Sequence, residues 1–248
     1  MYDFFSMTLD SPIYLDWDQP PPVEWELPPR STPPSSQDPH LWVDDKGVWA
    51  RLVTRSTPFQ LNYDRGRIAF RARHGGERLL KALGLTRYPQ LSIIDGTFGL
   101  GKESFLMASV GAMITGIERS SSLYYLSKDA LRRGPQHICN RIHLINDDTT
   151  HLLNTLTSDV IYLDPMFPLR RKRAAVAAEA QVLQAFAAGP PSIEEEIRLL
   201  DHALSAAKYR VVVKRPKSAP PLANKASSAS IKGKLVRFDI YGIKSLNF

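Results

Sequence analysis

From Pro89 onward the chain alternates short apolar runs with helix-length amphipathic stretches, and that rhythm leaves few folds open. Leu91–Ile94, Ala112–Ile117, Ile142–Ile145, Val160–Leu163 and Tyr209–Val213 read as strands. Helical patterns separate most of them. Lys102–Val110 follows a glycine-rich turn, Gly96–Gly101, and Ser121–Arg132 carries an apolar stripe at Leu123, Leu126, Ala130 and Leu131. Ala174–Ala188 is alanine-rich, and Ser192 with Glu195 forms a capping box for Ile193–Ala207. Leu235–Tyr241 closes the series as a late strand. Strands alternating with helices at this spacing argue for an open parallel sheet, and a parallel sheet has both faces covered. The expected class is α/β, a doubly wound and mostly parallel sheet.

The segments before this rhythm differ from it. Residues 1–40 hold proline clusters at Pro20–Pro22, Pro28–Pro29 and Pro33–Pro34. Proline fixes φ and lacks an N–H, so this arm is expected to be extended or disordered. Residues 41–84 read as a small N-terminal β appendage with a linking helix. Leu41–Val43 and Val48–Val53 flank the turn signal Asp44-Asp45-Lys46-Gly47, and Phe59–Tyr63 and Arg67–Phe70 flank Asp64-Arg65-Gly66. Glu77–Leu83 is the expected helix, and residues 85–248 form the main domain.

Charge and cysteine content narrow the classes. The net charge of +7 suits a polyanionic partner. A single cysteine, Cys139, excludes an internal disulfide, and the scattered histidines offer no metal-ligand spacing, so no metal is expected. No apolar run reaches the roughly 18 residues that a membrane span requires, and no secretory leader is visible at Met1; a cytoplasmic protein without membrane contact is expected.

In doubly wound sheets, ligands sit beyond the carboxyl ends of the strands. The residues ending the expected strands are Asp95, Glu118, Asn146–Asp148 and Asp164, all polar and all on one rim. The first turn reads Asp95-Gly96-Thr97-Phe98-Gly99-Leu100-Gly101, and its glycines let backbone approach a ligand closely. Glu118, at the end of the second strand, stands where an acidic residue grips adenosine ribose hydroxyls. Both a dinucleotide and S-adenosylmethionine carry such a ribose. Ser104 breaks the third glycine of the dinucleotide pattern, while Asp95 suits the cationic methionine end of S-adenosylmethionine.

Directly after Val160–Leu163 comes Asp164-Pro165-Met166-Phe167-Pro168. It resembles the (Asn/Asp)-Pro-Pro-(Tyr/Phe) motif of methyltransferases that act on exocyclic amines of bases, with Met166 in place of the second proline. Such an amine is a poor nucleophile because its lone pair is delocalised into the ring. Asp164 and the Pro165 carbonyl are suited to accept its hydrogens and hold the nitrogen in line with a methyl donor, and Phe167 to stack on the base. The sequence leaves competing classes open: a DNA amino-methyltransferase, a nucleotide-dependent oxidoreductase, and a non-catalytic RNA-binding protein. The first predicts methyl transfer to duplex DNA and the second NAD binding, while the third predicts no donor binding.

Ile93–Ser104, Ala108–Gly111, Glu118-Arg119, Tyr162–Pro168, Val211–Asn224 and Arg237–Tyr241 together resemble a bacterial family of small-subunit ribosomal RNA guanine-N2 methyltransferases. The resemblance runs from about Leu41 to Gly242. It implies the class I S-adenosylmethionine-dependent fold, transfer to a guanine N2 amine, and ribosomal RNA or the small ribosomal subunit as partner. It carries cofactor contacts onto Lys102 and Glu103, Glu118 and Arg119, Asp148 and Thr149, and Asp164, beside Asp95, Gly99 and Gly101 of the turn. Lys102-Glu103 stands where an Arg-Asp pair is usual. Catalysis is assigned to Asp164, Pro165 and Phe167.

Basic residues cluster at Arg65, Arg67, Arg71, Arg73 and Arg78, at Arg170-Arg171-Lys172-Arg173, and at Lys214, Arg215 and Lys217. Two clusters flank strand ends on the expected catalytic rim. Arg170, Arg171, Lys172, Arg173, Lys214 and Arg215 are therefore the expected contacts to a phosphate backbone. Pairing in a duplex blocks the guanine N2, so the target base must be unpaired or flipped.

Overall fold

A computed structural model describes residues 15–17, 39–52, 57–74, 76–167 and 177–246. Among them, seven strands form one sheet. In chain order these are β4 (Ser92–Asp95), β5 (Met113–Glu118), β6 (Ile142–Asn146), β7 (Ser158–Leu163), β8 (Ala207–Pro216), β9 (Ala229–Lys232) and β10 (Val236–Gly242). Their spatial order is β6-β5-β4-β7-β8-β10-β9. The first five are parallel, and β10 runs antiparallel to both β8 and β9. From β4 the chain builds outward to β6, then returns to place β7 on the other side of β4. That reversal is the switch point where strand ends splay and a crevice opens.

Side chains alternate across a strand, and here both faces are covered. Ile93, Ile114, Val160, Tyr162 and Val212 point into one core. Ile94, Ile117, Ile161, Leu163, Val211 and Val213 point into the other. This double burial is why the central strands read as unbroken apolar runs. Helices α3 (Lys102–Ser109) and α4 (Ser121–Arg133) cover the first face, and α8 (Ile193–Ala206) covers the second. The capping box of α8 is formed: Glu195 N–H donates to Ser192 Oγ, and Ser192 N–H donates to Glu195 Oε2.

The hairpin of β2 (His40–Asp44) and β3 (Gly47–Arg51) forms as expected. Its buried Leu41, Val43, Val48 and Ala50 join the first core. Asp129 of α4, fully buried, accepts the Val48 N–H at 3.0 Å and ties the hairpin to the main sheet's helical layer. Leu15–Trp17, inside the arm expected to be extended or disordered, is extended: it forms an edge strand, β1, pairing in parallel with Leu41–Val43. The stretch between Pro12 and Pro20 is free of proline, so its N–H groups can join a sheet edge. The second expected hairpin does not form. Phe59 makes only an isolated bridge to Ala50, and Arg67–Phe70 lies in helix α1 (Gly66–His74). The short alternation at Arg67–Phe70 is outweighed by Arg71-Ala72-Arg73, strong helix formers that extend it. Helix α2 (Glu77–Leu83) is as read, and β9 has no counterpart in the sequence reading. No described helix is long and apolar enough to cross a membrane. Among the described residues no group of His, Cys, Asp and Glu is placed to hold a metal.

Candidate functional site

A cavity of about 440 Å³ opens at the carboxyl ends of β4, β5 and β7, at the switch point. Every residue expected to contact a cofactor lines it: Asp95, Gly99, Gly101, Lys102, Glu103, Glu118, Arg119, Asp148, Thr149 and Asp164.

The glycine turn forms one wall. Gly101 sits at φ 61°, the left-handed region, and hands the chain into α3. A Cβ there would also meet the Phe98 ring at 2.4 Å. Phe98 folds back over β5, where Gly116 leaves room for it; a Cβ on Gly116 would lie 2.2 Å from the ring. Thus a glycine in the middle of a strand serves the turn above it.

Glu118 ends β5 with its carboxylate against the turn. Oε2 accepts the Gly99 N–H at 2.7 Å, and Oε1 accepts the Ser120 N–H at 2.8 Å. A carboxylate has about four acceptor positions, so acceptor capacity remains for a ribose hydroxyl. Burial raises its pKa, opposed by those backbone hydrogen bonds. Asp95 is deeper, 1% exposed, accepting from Ser104 Oγ at 2.6 Å and from Thr97 N–H at 3.1 Å. Burial pushes its carboxyl up to about 7, against the pull of those hydrogen bonds. Asp148 caps the short helix α6 (Thr149–Leu152) by accepting the Thr150 N–H. Thr149 Oγ1 donates to the Gly96 carbonyl at 2.5 Å, binding the third strand's loop to the first. Across the cavity, Lys102 pairs with Glu179 of α7 (Ala178–Phe186), and Arg119 lies 3.9 Å from Glu195 of α8.

The second wall holds the end of β7. Asp164 N–H donates to Thr97 Oγ1 at 2.6 Å, which fixes this strand end to the glycine turn. Lys214 of β8 donates to Asp164 Oδ2 at 2.6 Å and to Glu103 Oε1 at 2.9 Å. Arg71 of α1 donates to the same Glu103 oxygen at 2.9 Å. Burial alone would raise the Glu103 carboxyl, but Lys214 and Arg71 outweigh it and hold it at about 2. Burial lowers the Lys214 ammonium less than Asp164 and Glu103 raise it, so it stays charged. Asp164 is raised, chiefly by burial and by Glu103, against the pull of Lys214.

These contacts revise three assignments. Lys214, expected to face phosphate, has its ammonium turned inward to two carboxylates. Arg215 is 2% exposed, bonded to Glu196 Oε1 and the Pro220 carbonyl, and cannot reach a phosphate. Alternation along β8 sends these neighbours to opposite faces, and neither points outward. Phe167 packs under Arg215, whose guanidinium carbon is 4.9 Å from the ring centre. Pro165 and Met166, rather than Phe167, line the cavity beside Asp164. Arg170, Arg171, Lys172 and Arg173 lie outside the described residues.

Thr97, Tyr162 and Arg71 were not read as site residues. Thr97 sits inside the glycine turn, and Tyr162 lies in the strand two residues before Asp164 and so on its face. The Tyr162 hydroxyl is buried in the cavity wall and has no hydrogen-bond partner among the described residues.

Comparisons with known proteins agree with this geometry. A family model described as "Putative SAM-dependent methyltransferase" matches residues 25–243. Ribosomal RNA small subunit methyltransferase J of Alcanivorax borkumensis is 39% identical over 81% of this chain and 82% of its own length. The protein of the same name from Hydrogenovibrio crunogenus is 44% identical over 69% of this chain, a match spanning 64% of that relative. The crystal structure of a SAM-dependent methyltransferase from Neisseria gonorrhoeae superposes with a TM-score of 0.69 at 31% identity, covering 86% of this chain and 85% of that one. The acidic rim of Asp95, Glu118 and Asp164 and the buried Tyr162 hydroxyl, which has no partner among the described residues, fit a polar, cationic adenosine ligand such as SAM.

Proposed function

The chain belongs to the SAM-dependent methyltransferase family that includes the ribosomal RNA small subunit methyltransferases J; from that premise we propose that it methylates the exocyclic N2 amine of a guanine in small-subunit ribosomal RNA. The observation that carries this reading is the end of β7. There Asp164, locked to the glycine turn through Thr97, faces the same cavity as Glu118 and Asp95.

When bound, SAM supplies a methyl group on a sulfonium, so the leaving group needs no further activation. The chain's task is placement. Glu118 offers its remaining acceptor positions to ribose hydroxyls, and Asp95 offers negative charge to the cationic end of the donor. Asp164 and the Pro165 carbonyl accept the two amino hydrogens, turning the nitrogen toward the methyl group. Methylation would leave the nitrogen with a surplus proton. The Asp164 carboxylate already holds that hydrogen. Its burial-raised pKa suits it to take the proton up.

RNA affinity is assigned to Arg170-Arg171-Lys172-Arg173, which follow the catalytic motif directly, and to Arg65, which is exposed next to α1. A protein acting on this substrate works where ribosomal subunits are, which is consistent with the cytoplasm.

The test is to incubate small subunits, and naked small-subunit RNA, with the protein and labelled SAM. Nucleoside mass analysis then identifies the product. N2-methylguanosine supports the reading; label on another base, on duplex DNA alone, or nowhere overturns it.

A further inference from the structure

The charged groups ending β7 and β8 stand in a row whose order matches a base-pairing edge. Lys214 Nζ is 2.6 Å from Asp164 Oδ2. An ammonium has three N–H donors. Among the described residues two of them are committed, to Asp164 and to Glu103. Glu103 is itself held by Arg71, so the ammonium is braced from behind. Asp164 is fixed at its backbone by Thr97, and among the described residues no side chain other than Lys214 donates to its carboxylate. Both side chains line the cavity. The row therefore presents one donor, then two acceptors.

Guanine's pairing edge presents the opposite order: an acceptor at O6, a donor at N1 and a donor at N2. Cytosine complements it in a duplex with a donor followed by two acceptors. We propose that the Lys214–Asp164 pair stands in for that cytosine and selects guanine, with Lys214 donating to O6 and Asp164 accepting from N1 and N2. This rests on the proposed guanine-N2 reaction and assigns its base specificity. The remaining N2 hydrogen falls to the Pro165 carbonyl. Adenine would set its 6-amino donor against the ammonium and its N1 lone pair against the carboxylate, two like-to-like contacts. A flipped base is read on this edge, because its pairing partner no longer occupies it.

The test measures kcat/KM on small-subunit substrates whose target position holds guanine or 2-aminopurine. The analogue keeps the 2-amino group but lacks O6 and the N1 hydrogen. The wild-type protein is expected to favour guanine by about a hundredfold or more, because unpaired polar groups in a buried site reject the analogue. Lys214→Met is expected to cut that preference at least about tenfold. A lysine that merely steadies Asp164 would slow both substrates by one factor and leave the preference intact, which overturns the proposal. A second arm needs no variant. With 6-thioguanine, which keeps N1–H and weakens only the acceptor at position 6, the wild-type rate should fall at least about tenfold; an equal rate overturns the proposal. Wild-type protein inactive on guanine itself would overturn the reaction as well, a result distinct from either.

Discussion

Asp95→Asn separates the charge of the buried carboxyl from its shape. Asp95 is 1% exposed and held at about 7, against a reference of 3.8. Its folded-state value lies above its unfolded one, so the folded protein binds this proton more tightly. Stability from this group is therefore greatest below pH 4. It declines as pH rises from about 4 to about 7, and the loss is complete above that. The gap of about three pH units, at 1.36 kcal/mol each, puts the cost of ionising Asp95 at about 4 kcal/mol. Asparagine keeps the acceptor for Thr97 N–H and can donate to Ser104 Oγ, yet never ionises. Denaturant unfolding of both proteins at pH 5 and pH 8 gives the difference directly. Glu118 and Asp164 titrate in both proteins and largely cancel. The variant should gain on the wild type by about 2–3 kcal/mol between pH 5 and pH 8. SAM, being cationic, favours the ionised form, so wild-type affinity for it should climb over the same range while the variant's stays flat. A stability difference independent of pH within about 0.5 kcal/mol would refute the argument, because it would mean that Asp95 does not titrate near neutrality.

Two further outcomes follow from the geometry. Gly116→Ala drives a Cβ to 2.2 Å from the Phe98 ring. It should cost about 1–3 kcal/mol of stability and weaken SAM binding by titration calorimetry, since the displaced ring belongs to the glycine turn; unchanged affinity would detach Phe98 from the site. Arg171→Ala should weaken RNA binding across sequences and lower the slope of log K against log salt by roughly one; an unchanged slope would remove the cluster from the RNA surface.

Much of this arrangement was legible in the sequence. Apolar runs mark β4, β5, β7 and β8 because both sheet faces are buried, and Asp95, Glu118 and Asp164 end those runs on one rim. The errors have specific causes. Arg67–Phe70 is too short a window to separate a strand from a helix by period alone. Lys214 and Arg215 read as surface charge because lysine and arginine usually are, and composition does not reveal that Glu103, Asp164 and Glu196 await them inside. Phe167 read as a stacking residue because the motif supplies one, yet Arg215 on the neighbouring strand claims its ring. The misreadings of Lys214, Arg215 and Phe167 are contacts between residues far apart in the chain, which no local pattern encodes. Thr97 is the exception: two residues beyond Asp95, it was within reach of the turn motif.

The account's central claim is that methyl transfer happens at the Asp164 carboxylate. Single-turnover transfer from pre-bound SAM to small subunits, compared between wild type and Asp164→Ala, tests it most directly. A fall of at least about a hundredfold in the transfer step, with the fold intact by circular dichroism, is the predicted result. Transfer by the variant at the wild-type rate would contradict it.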